Sequence, residues 1–259
     1  DFKVLSNIVK TQSIHIEYGG VVPDLASKDH EKKILNVVNA SVNEAGIKLS
    51  DIDAIAVTYG SGLLGSLIVG LNFAKGLSIG LNIPLIGISH LVGHLSSSFI
   101  NSEIKYPHLS LIVSGGHTQI WIVEGPDSYT VVSNTVDDAA GEAFDKGARI
   151  LGLKYPGGPE IEKKATDGNY QKYPFTIPEV KSNKFNFSFS GLKTALLYKK
   201  KDLGDTFDLN DLAASYQEVI IDTLLNKIID VNRKFNVSTV LVVGGVSCNK
   251  RFREKANKL

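Results

Sequence analysis

The sequence predicts a two-lobed α/β protein, and three observations carry that prediction. Segments typical of strands alternate with segments typical of helices in both halves of the chain. Two strands end in glycine pairs, Gly115-Gly116 and Gly244-Gly245, at the edge where open α/β sheets bind ligands. The 259 residues, 43% of them hydrophobic, are enough for two cores of ordinary size. We therefore expect lobes over residues 1–105 and 106–259, with a ligand cleft between them.

The first lobe is expected to begin with strand material over residues 4–16, a turn at Gly19-Gly20 and a helix over residues 24–45. The inward-facing side chains of that helix are predicted to be Leu25, Ile34, Leu35 and Val38. A buried strand over residues 52–59 then leads through the glycine turn 60–65 into a helix that includes residues 67–74. Next come a strand over residues 84–89 and a helix that starts at His90.

The second lobe is expected to be built on a strand over residues 109–113, because four of these five residues are apolar and a strand buried on both faces has that composition. A return strand over residues 117–123 follows. The helices are predicted at residues 137–151, from Pro159 through 165, from about residue 187, at 208–235 and at 249–259, with a polar surface segment at 167–186. A last buried strand, residues 240–243, ends in the second glycine pair.

Composition excludes several classes of protein. The single Cys248 cannot form an internal disulfide and fits a reducing compartment, so we expect the cytoplasm. No apolar run is long enough to predict a membrane span, because residues 55–88 are interrupted by Gly, Ser, Asn and Lys. The formal charge is +1, so any nucleic acid must be bound by a local patch. The basic run near the end of the chain is either such a patch or a solvated helix face: Lys250, Arg251, Arg253, Lys255 and Lys258.

His90 and His94 are one helical turn apart, which places both imidazoles on the same face. That spacing suits one metal ion, although a pair of surface histidines is the simpler interpretation and a metal needs a third group. The zincin proteases have a glutamate directly after the first histidine as general base. Leu91 occupies that position here, so peptidase chemistry lacks its base.

The loop Ser114-Gly115-Gly116 is either a hairpin turn or a cradle for an anion or nucleotide, since glycine backbones allow a ligand to approach closely. The helix over residues 137–151 is predicted to bury five residues and to expose a charged face. The buried side is Ala140, Ala143, Phe144, Gly147 and Leu151, and the charged side is Asp138, Glu142, Asp145 and Arg149. This face is either solvated or, with Gly157-Gly158 nearby, able to bind ribose hydroxyls. Asn249 after Gly244-Gly245 offers an amide to a base or phosphate.

Several blocks of this sequence resemble the TsaD family, in the family's order and across nearly the whole chain. They are residues 18–23, 113–119, 137–146, 155–159, 187–194 and 244–246. The resemblance implies the actin-like ATPase and sugar-kinase fold. It also implies transfer of a threonylcarbamoyl group from threonylcarbamoyl-adenylate to N6 of the adenosine at position 37 in tRNAs that read codons starting with A.

The resemblance also assigns residues. It implies His90 and His94 as ligands of a divalent iron or zinc ion, with a third ligand beyond residue 259, and a first strand ahead of residue 1. It implies no catalytic side chain besides metal and substrate ligands. The residues that would bind the adenylate are Ile112, Val113, Ser114, Gly115, Gly116, Asp145, Gly158, Glu162 and Asn249. The implied partners are tRNA, a TsaB-like paralogous subunit and a TsaE-like ATPase, with no membrane.

Three other functions remain as alternatives. One is a metalloprotease resembling the O-sialoglycoprotein endopeptidases, which the missing glutamate argues against. The second is a non-catalytic scaffold paralogue, which the retained histidines and glycine loops argue against. The third is a small-molecule kinase, for which the sequence offers no evident aspartate base in the cleft.

Overall fold

The structure is a computed structural model that describes residues 3–12, 15, 17–18, 20–100, 103–204 and 206–259. The chain divides into two compact units, residues 1–102 and 103–259, close to the boundary that the sequence predicts near residue 105. Each unit has its own sheet and its own helices, and we describe each by itself.

The first unit is built on two parallel strands joined by a helix. Strands β1 and β2 pair in parallel, with Ile55 opposite Leu85, and α2 connects them. The elements are α1 (Pro23–Ala45), a 3-10 turn (Leu49–Asp51), β1 (Ile55–Gly60), α2 (Leu64–Leu81), β2 (Leu85–Ser89) and α3 (His90–Ser97). Pro23 at the first turn and Gly46 in the left-handed cap set the ends of α1, within one residue of the predicted helix over residues 24–45.

Three predictions for the strands and the first helix of the first unit are wrong. The strand expected to be buried, β1, has no buried residue, because its two-stranded sheet has little to cover it in the described part of the unit. Residues 3–12 contain no strand, while Ser13, Ile14, Ile16 and Gly19 lie outside the described residues. A strand exists only where a neighbouring backbone completes its ladder, and the ladder of this unit joins only β1 and β2 in the described part of the chain. Leu35 is 56% exposed rather than buried, because α1 packs mainly against one neighbour, α2, and much of its surface remains in contact with solvent.

Helix α2 meets the length and composition expected of a membrane-crossing segment, with a mean hydropathy of 1.5 over 18 residues. The sequence-based expectation that no stretch qualifies is therefore wrong on these two criteria. One such helix is weak grounds for a membrane protein. Within its unit α2 packs on α1 and β1: a Cβ at Gly65 would meet Ser27, and one at Gly70 would approach Val57.

The second unit has a four-stranded sheet in the order β5-β4-β3-β6. β3 is antiparallel to β4 and parallel to β6. The strands are β3 (His108–Val113), β4 (Thr118–Gly125), β5 (Ser128–Asn134) and β6 (Val240–Val243). The helices are α4 (Ala140–Leu151), α5 (Gly157–Ala165), α6 (Ser190–Leu203), α7 (Leu209–Phe235) and α8 (Lys250–Ala256), with a 3-10 turn at Gly245–Cys248.

Every residue of β3 is buried, as its apolar composition predicts. Its alternate residues Leu109, Leu111 and Val113 join a core that also contains residues of α4, α5 and α7. The predicted buried side of α4 is confirmed, since Ala140, Ala143, Phe144, Gly147 and Leu151 are all buried. This core fixes the strand ends and helix starts that surround the candidate site.

Three details of the second unit differ from the predictions. Strand β6, expected to be buried, is buried only at Val243, because it is an edge strand of the described sheet. Helix α4 starts at Ala140, so Asp138 precedes the helix and does not belong to its charged face. Instead Asp138 lies 2.6 Å from the Nζ atom of Lys146. The segment over residues 167–186 is irregular, as expected, yet it is not wholly a surface excursion, because Tyr173, Phe175 and Phe185 pack against the core.

Candidate functional site

A cavity of about 340 Å³ lies within the second unit, where the loop after β3, the start of α5 and the start of α8 come together. Five of the nine residues predicted to bind substrate line it: Gly115, Asp145, Gly158, Glu162 and Asn249. These residues are up to 134 positions apart in the sequence (249 − 115), so only the fold brings them together. A concave site lined by glycine backbone and a few polar groups is the usual form of a small-molecule pocket.

Glycines have two different roles around this cavity. A Cβ atom at Gly115, Gly158 or Gly245 would meet nothing within 4 Å, so these three leave open space where a ligand could approach the backbone. At Gly141 a Cβ atom would lie 2.6 Å from the Ser114 carbonyl oxygen, and at Gly244 it would lie 2.4 Å from that of Val113. The second pair of glycines therefore allows backbone segments to pack closely, and the first group faces free volume.

The other predicted residues of the loop do not line the cavity. Ile112 and Val113 are fully buried within β3, where their side chains pack in the core. The Ser114 N–H donates to the His117 carbonyl at 2.8 Å, which closes a hairpin turn, and Gly116 lies outside the lining residues. The loop is thus a hairpin turn that also contributes Gly115 to the cavity, so the two interpretations of the sequence are compatible.

Asp145 is one of the two carboxylates that line the cavity, and a backbone N–H of α5 holds it in place. Its Oδ1 atom accepts a hydrogen bond of 2.7 Å from the N–H of Gly157, the first residue of α5. Burial raises the pKa of Asp145 above its ordinary value, although the Gly157 N–H and the charge of Arg149 oppose that change. A carboxylate has up to four acceptor positions, so the hydrogen bond to Gly157 alone does not exhaust what Asp145 can accept from hydroxyl groups.

Glu162 and Asn249 both cap the first turn of α8. Glu162 Oε1 accepts from the Lys250 N–H at 2.8 Å, and Asn249 Oδ1 accepts from the Phe252 N–H at 2.9 Å. The Asn249 amide also donates to Gln217 Oε1 at 2.8 Å. These two bonds use half of the hydrogen-bonding capacity of the Asn249 side chain within the protein, and one N–H and one acceptor position of the amide remain.

Sequence reasoning missed several residues of this site. Tyr155 lines the cavity beside Asp145, and burial followed by the charge of Asp145 raises the pKa of the Tyr155 phenol. Its position directly before Pro156-Gly157-Gly158 was the available signal. Phe144 and Cys248 also line the cavity. Gln217, which contacts Asn249, lies near the start of α7, where no local pattern distinguishes it.

Two of the five cations in the basic run, Arg251 and Lys255, pair with carboxylates of α7. Glu218, whose side chain is 9% exposed, accepts hydrogen bonds from Arg251 at 2.8 and 2.9 Å and from Lys255 at 2.6 Å. Lys255 also pairs with Asp222. Burial tends to raise the pKa of Glu218, but the two cations outweigh it and the net pKa is lowered. These pairs reduce the cations available for a nucleic acid partner.

Replacing Arg251 by alanine is expected to destabilise the protein by about 2 kcal/mol, because it removes the bidentate partner of a buried carboxylate while Lys255 remains. Urea unfolding at neutral pH measures this loss. The folded pKa of Glu218 is below the ordinary value of 4.5, so the pair stabilises the fold above that pH, and its contribution disappears as the pH falls through the lowered pKa. The control is the exposed Lys258→Ala, which should leave stability unchanged. Equal stability of both variants would contradict the assignment.

His90 and His94 lie on α3 of the first unit, as predicted, with ring centroids 4.6 Å apart. The two imidazoles are therefore close enough to share one ion. In the part of the chain that the structure describes, no three His, Cys, Asp or Glu side chains come together as a metal-binding group. Two imidazoles are fewer than the three or four protein ligands that a zinc site usually has.

The comparisons with known proteins agree with these observations. The family model described as TsaD, tRNA N6-adenosine threonylcarbamoyltransferase, matches residues 3–259. A protein of that name from Thermosipho africanus is 48% identical over 262 residues, covering 100% of this chain and 79% of the relative. Another of that name, from Caldicellulosiruptor saccharolyticus, is 48% identical over 261 residues, covering 99% of this chain and 77% of the relative.

Among solved structures, HypF from T. kodakarensis aligns with a TM-score of 0.66 at 12% identity, over 87% of this chain and 39% of HypF. This likeness concerns the fold alone, and with the family match it confirms the predicted α/β, actin-like class. The resemblance inferred from the glycine-rich blocks is likewise confirmed. Since the family model spans nearly the whole chain and relatives share almost half of their residues with it, this chain belongs to the TsaD family of tRNA N6-adenosine threonylcarbamoyltransferases.

Proposed function

We propose that this protein transfers the threonylcarbamoyl group from threonylcarbamoyl-adenylate to N6 of the adenosine at position 37 in tRNAs that read codons starting with A. The observation that carries the proposal is the cavity in the second unit, where five residues implied by the family resemblance meet in one pocket. The cytoplasm is the proposed location, in keeping with a tRNA substrate and the single cysteine.

The cavity suits the nucleotide part of the donor. The carboxylates of Asp145 and Glu162 accept hydrogen bonds from ribose hydroxyls, and each has one oxygen already fixed by a backbone N–H. The open backbones of Gly115 and Gly158 let the adenylate approach without meeting a Cβ atom. A fixed carboxylate loses little conformational entropy when it binds, which favours affinity.

The chemistry requires positioning more than a nucleophile from the protein. The donor is a mixed anhydride, so its carbonyl carbon is already activated. N6 of adenine attacks that carbon, the new N–C bond forms, and the C–O bond to the phosphate breaks. AMP leaves with the electron pair, and N6 loses a proton.

His90 and His94 are the proposed protein ligands of a divalent iron or zinc ion. Neutral imidazoles suit either metal, and their spacing on α3 places both rings on one face. When bound, such an ion acts as a Lewis acid that polarises a carbonyl oxygen. The half-buried histidines would hold the ion through two of its coordination positions, and further ligands would fill the remaining positions.

A TsaB-like paralogous subunit and a TsaE-like ATPase are the proposed protein partners. The support lies in the first unit, whose helices carry exposed apolar side chains: Leu64 is 73% exposed and Ile79 is 82% exposed on α2. Leu35 on α1 is exposed as well, so both helices present apolar side chains that a protein partner can cover. Helices α1 and α2 are therefore the proposed docking elements.

Reconstitution of the full-length protein tests this function. Unmodified tRNA is incubated with the protein and threonylcarbamoyl-adenylate, with and without the two partner proteins, and the nucleosides are measured by mass spectrometry. We expect the modified adenosine only with the adenylate donor, and much more of it when the partners are present. Full activity of the protein alone would contradict the partner assignment. Absence of product under every condition would contradict the donor or the reaction.

A further inference from the structure

Gln217 lies near the start of the long helix α7 and is only 5% exposed. Its Oε1 atom accepts a hydrogen bond of 2.8 Å from the Asn249 amide, across 32 residues of sequence. Asn249 is itself 7% exposed and lines the cavity proposed for the nucleotide. Gln217 does not line the cavity itself, so any effect that it has on a ligand there must pass through Asn249.

The hydrogen bonds fix which way the Asn249 amide points. The Phe252 N–H donates to Oδ1, so the oxygen must face the first turn of α8. The Nδ2 group must then face the other side, where Gln217 offers an acceptor. Gln217 prevents the alternative orientation, because turning the amide would place its oxygen against the glutamine oxygen and leave two buried acceptors without donors.

The adjacent residue strengthens the same connection. Glu218 pairs with Arg251 in the first turn of α8 and with Lys255 in the second. Two successive residues of α7, Gln217 and Glu218, therefore hold the start of α8. Helix α8 has only seven residues and depends on such contacts for its position. Glu162 of α5 accepts a hydrogen bond from the Lys250 N–H, so α5 as well as α7 holds the start of α8 in position.

We propose that Gln217 is a positioning residue for the nucleotide pocket, which orients the Asn249 amide so that its remaining N–H can donate to the nucleoside. This inference rests on the proposed function, because it takes the cavity as the nucleotide site. It assigns a role in substrate affinity to a residue that does not touch the substrate.

Four variants of the full-length protein test the proposal. Gln217→Met removes the acceptor at nearly constant length, and Gln217→Glu restores an acceptor oxygen. Thr223→Val is the matched control, since Thr223 is fully buried on the same helix and its hydroxyl donates only to the α7 backbone at Val219. Asn249→Ala removes the residue through which Gln217 acts. Adenosine is the probe, because it has no charge that a new carboxylate would repel.

We expect Gln217→Met to weaken adenosine binding roughly tenfold, while Gln217→Glu and Thr223→Val stay within about twofold of the parent. The double variant with Asn249→Ala should bind no more weakly than Asn249→Ala alone. In the transfer reaction KM for the donor should rise more than kcat falls. Thermal unfolding of each variant separates these effects from a general loss of stability. A less stable protein would show a lower apparent kcat and weaker binding of tRNA as well as of adenosine.

The outcomes distinguish the inference from the function on which it rests. If Asn249→Ala weakens adenosine binding and Gln217→Met does not, the positioning role is wrong and the nucleotide site stands. If neither variant changes adenosine affinity, the cavity is not the nucleotide site. If Gln217→Met and Thr223→Val weaken binding equally, the effect belongs to α7 packing and the proposal is overturned.

Discussion

Replacing either His90 or His94 by alanine is expected to weaken the affinity for the metal ion at least roughly a hundredfold. The same substitution should remove nearly all transfer to tRNA. Each substitution deletes one of the two imidazoles on α3, whose ring centroids are 4.6 Å apart. A metal site that loses a protein ligand binds the ion far more weakly than one that loses an outer-shell group. Metal content by elemental analysis and transfer by nucleoside mass spectrometry measure the two effects separately.

The fold is expected to survive these substitutions. Both histidines are half-buried on a short helix, so thermal unfolding should shift only modestly. His30→Ala is the control, because His30 is an exposed helix histidine of the same unit that is not proposed as a ligand. It should retain metal and activity. Wild-type transfer by His90→Ala or His94→Ala without bound metal would show that the histidines have another role.

Gly158→Leu is expected to weaken nucleotide affinity at least about a hundredfold while the protein remains folded. Gly158 lines the cavity, and a Cβ atom there would meet nothing within 4 Å, so the backbone accepts a side chain. That side chain occupies space that the adenylate needs, and a well-packed site has little room to relax. Adenosine and AMP titrations measure the loss, and thermal unfolding checks the fold.

Two other glycines provide controls for this prediction. Gly191 is the second residue of α6, as Gly158 is of α5, and it also has open space at its Cβ position, so Gly191→Leu should bind nucleotide normally. Gly157→Ala should instead destabilise the protein, since its Cβ would lie 2.6 Å from the Asp145 Cα atom. Unchanged nucleotide affinity in Gly158→Leu would remove Gly158 from the site.

The local signals predicted most of the secondary structure of the second unit. The apolar run of β3 and the periodic pattern of α4 were sufficient, because burial on both faces and burial on one face give different residue patterns. The start of α4 was less predictable. Asp137 accepts from Ser188, Phe189 and Ser190, about fifty residues later, and so caps α6 rather than extending α4. A contact of that range leaves no local pattern.

The candidate site was predicted less completely than the fold. Asp145, Gly158 and Glu162 were assigned by the family resemblance, and the structure places them in one cavity. The basic residues of α8 could be interpreted as a tRNA surface or a solvated face, and neither choice anticipated that Arg251 and Lys255 bind the buried Glu218. The partner of a charge depends on which helix packs beside it, and composition does not contain that information.

The sequence by itself determined the α/β class, the family, and the positions of the glycines and carboxylates, since these depend on residue type and spacing along the chain. Only the tertiary structure decided what each glycine does. Gly158 leaves open space and Gly244 packs against Val113, although each belongs to a glycine pair in the sequence. It also decided that the Asn249 amide is tied to Gln217. The physical reason is that free volume and hydrogen-bond partners are set by neighbours distant in sequence, which local patterns do not encode.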